Sequence, residues 1–177
     1  MMNMKEKQSN TNLSARTQSI ALNGTLAALA IALSALESSL PPIPMLPPGA
    51  KLGLSNLATM YAAGACGLFP ALCIAVIKSF FSGITGGVTA LLMSLCGGVA
   101  STFVMWLLLK AKNPFGTTGL GVAGALTHNA AQLAVAAVLT TPAVVYYIPW
   151  LILFGVLSGI LTGTVLHLIL PLLNRIP

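Results

Sequence analysis

The sequence predicts an all-α integral membrane protein, a bundle of about six transmembrane helices. Three observations carry this. Charged residues make up 6% of the chain, whereas soluble proteins carry about a quarter. The acids are Glu6 and Glu37, with no aspartate anywhere. More than half of the residues are hydrophobic, and the mean hydropathy is +0.94. A chain so poor in acids cannot clothe itself in hydrated surface, so its solvent is mostly lipid. A spanning helix needs about 20 apolar residues, so the 177 residues hold about six spans joined by short loops.

Residues 1–18 form a polar leader, expected to be disordered and cytoplasmic. Residues 19–177 form one transmembrane domain. The leader and the run after it also imitate a secretory signal, with Leu33-Ser34-Ala35 as a small-residue cleavage region. The first span is expected over 20–38. The stretch 41–49 that follows is too rich in proline for helix. A second span over 52–67 ends at the Gly67-Leu68-Phe69-Pro70 turn. The third, 71–82, is short, so spans two and three are tilted or partly re-entrant. A turn over 83–87 leads into the fourth span, 88–109. The fifth covers 120–139. Thr140-Thr141-Pro142 then breaks the helix before the sixth, 147–173.

The bases set the orientation. Lys5, Lys7 and Arg16 in the leader, Lys110 and Lys112 after span four, and Arg175 in the tail all fall on one side of a six-span chain. The positive-inside rule makes that side cytoplasmic, which places both termini on the cytoplasmic side of the membrane. Tyr146, Tyr147 and Trp150 then mark an outer aromatic belt, and Trp106 the inner interface. The net charge of +6 lacks the basic stripe with interleaved aromatics that nucleic acid requires. Cys66, Cys73 and Cys96 form no CxxC pair and no zinc spacing with histidine, so they read as small buried hydrophobes. No metal site and no cofactor is expected.

Two constellations remain. Gly24, Ala28 and Ala32 form a stripe of small residues on span one, and Gly155, Gly159 and Gly163 form one on span six. Such stripes let another helix approach closely. They serve either packing inside the bundle or docking of another membrane subunit. The second constellation is polar. Glu37 closes the outer end of span one, and Lys51 and Asn56 open span two. Lys78 lies about 7 Å from the outer end of span three. His128 lies near mid-membrane, with Asn129 and Gln132 above it, and His128 and Gln132 share a helix face. Intramembrane ionisable residues are costly and face a cavity or a partner. The cluster is an outward-facing pocket or a set of interhelical hydrogen bonds, with Glu37 pairing Lys78 or Lys51. Lys51, Lys78 and His128, when protonated, against one acid tilt a pocket toward an anionic or electron-rich ligand. His167, alone on span six, reads as a packing or interfacial histidine.

Enzyme templates fail. Prenyl transfer by the usual route needs aspartate-rich motifs to hold magnesium diphosphate, and the chain has no aspartate. It has no P-loop, GxSxG or HExxH motif either.

Lys51-Leu52-Gly53-Leu54-Ser55-Asn56, Lys78 in its short span, Ser94-Leu95-Cys96-Gly97-Gly98 and His128-Asn129-Ala130-Ala131-Gln132 together resemble the Gx transporter family. That family is often labelled heptaprenyl diphosphate synthase component I, and it is similar to the substrate-binding S components of energy-coupling factor (ECF) transporters. The resemblance covers about 24–173. It implies a six-helix S-component fold, with the 41–49 loop as a lid over an outer pocket. It implies that Gly24, Ala28 and Ala32 meet a transmembrane coupling subunit, which works with two cytoplasmic ATPases. The family often has arginine where this chain has Lys78, which keeps the charge without the planar fork.

The reading is therefore a non-catalytic, substrate-binding membrane subunit of an ECF-type transporter. Asn56, Lys78, His128, Asn129 and Gln132 would line its site, with Lys51 and Glu37 at the mouth. The ligand would be a small anionic, isoprenoid or flavin-like molecule. The alternative is an accessory component of heptaprenyl diphosphate synthesis or of quinone- or flavin-linked electron transfer.

Overall fold

The computed structural model describes residues 4–41, 53–111 and 116–173. It is helical throughout, with α1 (Met4–Ser39), α2 (Asn56–Ala65), α3 (Leu68–Lys110), α4 (Gly116–Leu139) and α5 (Ile148–Leu173). A 3-10 turn, Pro142–Tyr147, joins the last two. Among the described residues, four helical segments are long and apolar enough to cross a membrane: Arg16–Ser39, Leu68–Lys110, Gly116–Leu139 and Ala143–Pro171. The ten residues of α2 rise only about 15 Å, half the thickness of a bilayer core.

The expected five-residue turn at 83–87 contracts to a single residue. Within α3 only Gly87 leaves the helical region, at φ 79°, a conformation that suits glycine because no Cβ obstructs it. The helix folds back there. Ser79 Oγ donates to Ser94 Oγ at 3.2 Å, and a Cβ on Gly98 would stand 3.4 Å from that of Ala75. The limbs 68–86 and 88–110 therefore lie side by side and antiparallel. At the other end Gly67, at φ 91°, turns α2 into α3. Pro70 sits in the first helical turn, where its missing N–H costs nothing.

The apolar span of α1 begins at Arg16, close to the division expected at residue 18. Helix α1 begins at Met4, because no proline or glycine interrupts it before Gly24. The proline-rich stretch lies outside the described residues from 42 onward, as do Lys51, Lys112 and Arg175.

Small and polar residues fill the interior, and large apolar ones face outward. Leu26 and Ala30 of α1 pack with Ala58 and Ala62 of α2 and with Ala71 and Ile74 of α3. Thr59, Ser79, Ser82, Ser101 and Thr102 are fully buried, while Phe69, Ile84, Val138 and Tyr146 are exposed. Lipid tails are as apolar as leucine, so close backbone approach and interhelical hydrogen bonds hold such a bundle rather than apolar burial. Ser34 Oγ and Ser82 Oγ share a hydrogen bond of 3.3 Å that ties α1 to α3. Trp106 stacks with Phe103 and carries the Lys110 ammonium 5.0 Å above its ring, an arrangement suited to an interface.

Candidate functional site

The site is built on the turn that opens α2. Gly53 adopts φ 86°, and its carbonyl accepts from the Asn56 N–H at 2.9 Å. This turn aims the Ser55 and Asn56 side chains into the bundle. Lys78 reaches them from the first limb of α3. Its ammonium donates to Asn56 Oδ1 at 2.6 Å and to Ser55 Oγ at 3.1 Å. The lysine is 1% exposed, so two neutral oxygens help replace its hydration.

Three glycines make room for the cluster. A Cβ on Gly97 would stand 2.8 Å from His128 Nδ1 and 3.1 Å from Gln132 Cγ. One on Gly98 would stand 3.5 Å from Lys78 Cε. One on Gly53 would lie 3.1 Å from Asn56 Nδ2 and 3.7 Å from His128 Cδ2. Asn56, Lys78, His128 and Gln132 thus meet where the α2 turn, both limbs of α3 and α4 converge. The hairpin apex at Gly87 lies nine residues beyond Lys78, about 13 Å along the limb. This places the lysine deeper than an outer end at Ser82 implies.

The cluster leaves hydrogen-bonding capacity open. Asn56 Nδ2, His128 Nδ1 and Gln132 Oε1 are buried without a hydrogen-bond partner among the described residues. The Asn56 amide is oriented by Lys78: its oxygen accepts from the ammonium, so its nitrogen is the free donor.

The other expected site residues go elsewhere. Asn129 turns toward α5, where Nδ2 donates to the Leu151 carbonyl at 2.9 Å. Glu37 sits at the end of α1, and its Oε1 accepts from the Leu54 N–H at 2.7 Å. The carboxylate anchors the backbone that leads into α2. Ser55 escaped the sequence reading, as did the part played by Gly53, although both lie inside the quoted Lys51–Asn56 motif. Gly97 and Gly98 were equally visible in their motif, but glycines carry no chemistry that marks them as site residues.

The two small-residue stripes differ in the same way. Gly155, Gly159 and Gly163 are buried against α4: a Cβ on Gly163 would meet the Thr117 carbonyl at 2.6 Å, and one on Gly159 the Val122 nitrogen at 2.7 Å. Gly24, Ala28 and Ala32 are exposed, with nothing within 4 Å of a Cβ on Gly24. His167 is exposed on α5. No group of three or more His, Cys, Asp or Glu able to hold a metal occurs among the described residues.

The family model described as heptaprenyl diphosphate synthase component I matches residues 26–169. The chain belongs to this family. The match spans α1 from Leu26 to its end, the α2 turn and α2, both limbs of α3, α4 and most of α5. It therefore contains the whole polar cluster. No curated protein and no solved structure matches the chain.

Proposed function

We propose that this chain is a non-catalytic, multi-pass membrane subunit that captures a small molecule inside its helical bundle, in the manner of the S components of ECF transporters. One observation carries the reading. Lys78 is buried beside Asn56, His128 and Gln132, and those three hold buried polar atoms without partners among the described residues. A purely structural network closes its own hydrogen bonds, whereas open donors and acceptors around a buried cation suit a ligand. The ligand is an anionic, isoprenoid or flavin-like molecule that meets Lys78, Asn56, His128 and Gln132, with Lys51 and Glu37 toward the mouth. The two limbs of α3 count as separate spans, so that with α1, α2, α4 and α5 the bundle has the six helices of an S component. The protein sits in a prokaryotic plasma membrane with both termini cytoplasmic. Gly24, Ala28 and Ala32 dock a transmembrane coupling subunit that two ATPases drive.

The family description favours a second reading. A component I implies a companion component, and the chain would then be the membrane accessory of a soluble prenyl diphosphate synthase. Lack of aspartate argues against prenyl transfer by this chain itself under either reading. Affinity purification from native membranes in mild detergent, with proteins identified by mass spectrometry, separates the two. The transporter reading expects a coupling subunit and ATPases in stable proportion. Recovery of a soluble prenyl synthase, with no ATPase, would replace it with the accessory reading.

A further inference from the structure

Helix α2 opens without the cap its sequence offers. Ser55 occupies the N-cap position, where a serine hydroxyl ordinarily accepts from a backbone N–H of the first helical turn. Here the hydroxyl makes no such bond. The Ser55 backbone lies at φ −62° and ψ −15°, inside the helical region, whereas a capping residue is extended. Its oxygen accepts from the Lys78 ammonium instead.

The turn is held from another helix. Glu37, at the end of α1, is 8% exposed, and its Oε1 accepts from the Leu54 N–H at 2.7 Å. Beyond that bond, the Gly53 carbonyl accepts from the Asn56 N–H and the Leu54 carbonyl from the Leu57 N–H at 3.1 Å. The Leu57 N–H is one of the donors that an N-cap serine ordinarily serves, and the turn satisfies it without Ser55. The carboxylate also brings negative charge to the positive end of the α2 dipole.

We infer that Glu37 is a positioning residue for the Lys78 site. It caps the turn that opens α2 from across the bundle, and so frees the Ser55 hydroxyl to receive the Lys78 ammonium. Without this bond Leu54 is released, and Ser55 relaxes to the extended conformation of an N-cap. Its oxygen then turns back to the α2 backbone, and Lys78 loses an acceptor. A buried ammonium short of an acceptor is costly, so the lysine moves toward solvent. This role rests on the proposal that the Lys78 cluster holds a ligand, yet it is measured without one.

The full chain in detergent micelles is methylated with formaldehyde and dimethylamine borane. Methylation of each lysine is mapped by mass spectrometry, with the exposed Lys110 as internal reference. Hydrogen exchange of peptides covering 53–57 reports the turn. Glu37→Ala should raise both the relative methylation of Lys78 and exchange in the turn by about tenfold, the scale of one charged hydrogen bond. Glu37→Gln, which keeps an acceptor oxygen, should return both to within about threefold of the parent. Glu37→Asp keeps the charge on a shorter arm and should behave as Glu37→Ala does, so it decides the matter if the alanine variant fails to fold. Ser34→Ala removes the Ser82 contact that ties α1 to α3 and should leave Lys78 at the parent rate. Lys78 protected in the Ala and Asp variants, no rescue by Gln, or an equal rise in Ser34→Ala overturns the inference. A parent that retains no small molecule would overturn ligand capture and leave these rates unchanged, so the two claims fail separately.

Discussion

Helices α1 and α5 carry the same pattern, small residues every fourth position, and put it to opposite uses. Gly155, Gly159 and Gly163 are already occupied: a methyl group on Gly159 or Gly163 would collide with the backbone of α4, and one on Gly155 with the Asn129 and Leu126 side chains. Gly24, Ala28 and Ala32 look outward, while Leu26 and Ala30 on the opposite face of α1 pack inward. The spacing states that a helix can approach closely. Only burial states whether it has arrived. On α5 the neighbour is part of this chain; on α1 it is the proposed partner subunit.

Substitutions break this comparison most directly where the stripe is filled. Gly159→Leu should prevent stable assembly of α4 on α5. Overpacking of this kind costs about 1–3 kcal/mol or more, read as loss of the folded species in detergent thermal melts. Ala28→Leu makes an equivalent change on the open stripe. Its stability should stay within about 0.5 kcal/mol of the parent, while recovery of the coupling subunit falls at least about tenfold, or about 1.4 kcal/mol. If Ala28→Leu melts the chain as Gly159→Leu does, the two stripes are not different in kind.

Glu37 extends the test to the outer end of α1. Glu37→Ala removes the acceptor that holds the Leu54 N–H, a charged hydrogen bond worth about 1.5–3 kcal/mol. The melting temperature should drop accordingly. Glu37→Gln keeps an oxygen in place and should cost less than about 1 kcal/mol. If both variants fall equally, charge rather than the hydrogen bond is what the site needs from Glu37.

Much of the fold was legible in the sequence because apolar runs and their Pro and Gly interruptions report helix ends directly. The fifth and sixth spans, expected over 120–139 and 147–173, correspond to Gly116–Leu139 and Ile148–Leu173. The reversal inside α3 is shorter than the sequence predicts, since one glycine at positive φ turns the chain within the stretch 83–87. Lys78, His128 and Gln132 were recognisable as costly intramembrane groups. The direction of Asn129 was not, because residues 128 and 129 point about 100° apart on a helix and only the position of α5 decides which of them joins the cluster.

A ligand held by the Lys78 cluster is the central expectation. Parent protein and Lys78→Met are purified side by side from native membranes, and the small molecules they release on denaturation are compared by mass spectrometry. Methionine fills the space with an apolar chain and cannot donate to Asn56, so the amide loses its fixed orientation. One compound should be retained in stoichiometric amount by the parent and at least about tenfold less by Lys78→Met, the loss of about 1.4 kcal/mol of binding. Identical small-molecule content in two equally folded proteins would contradict it.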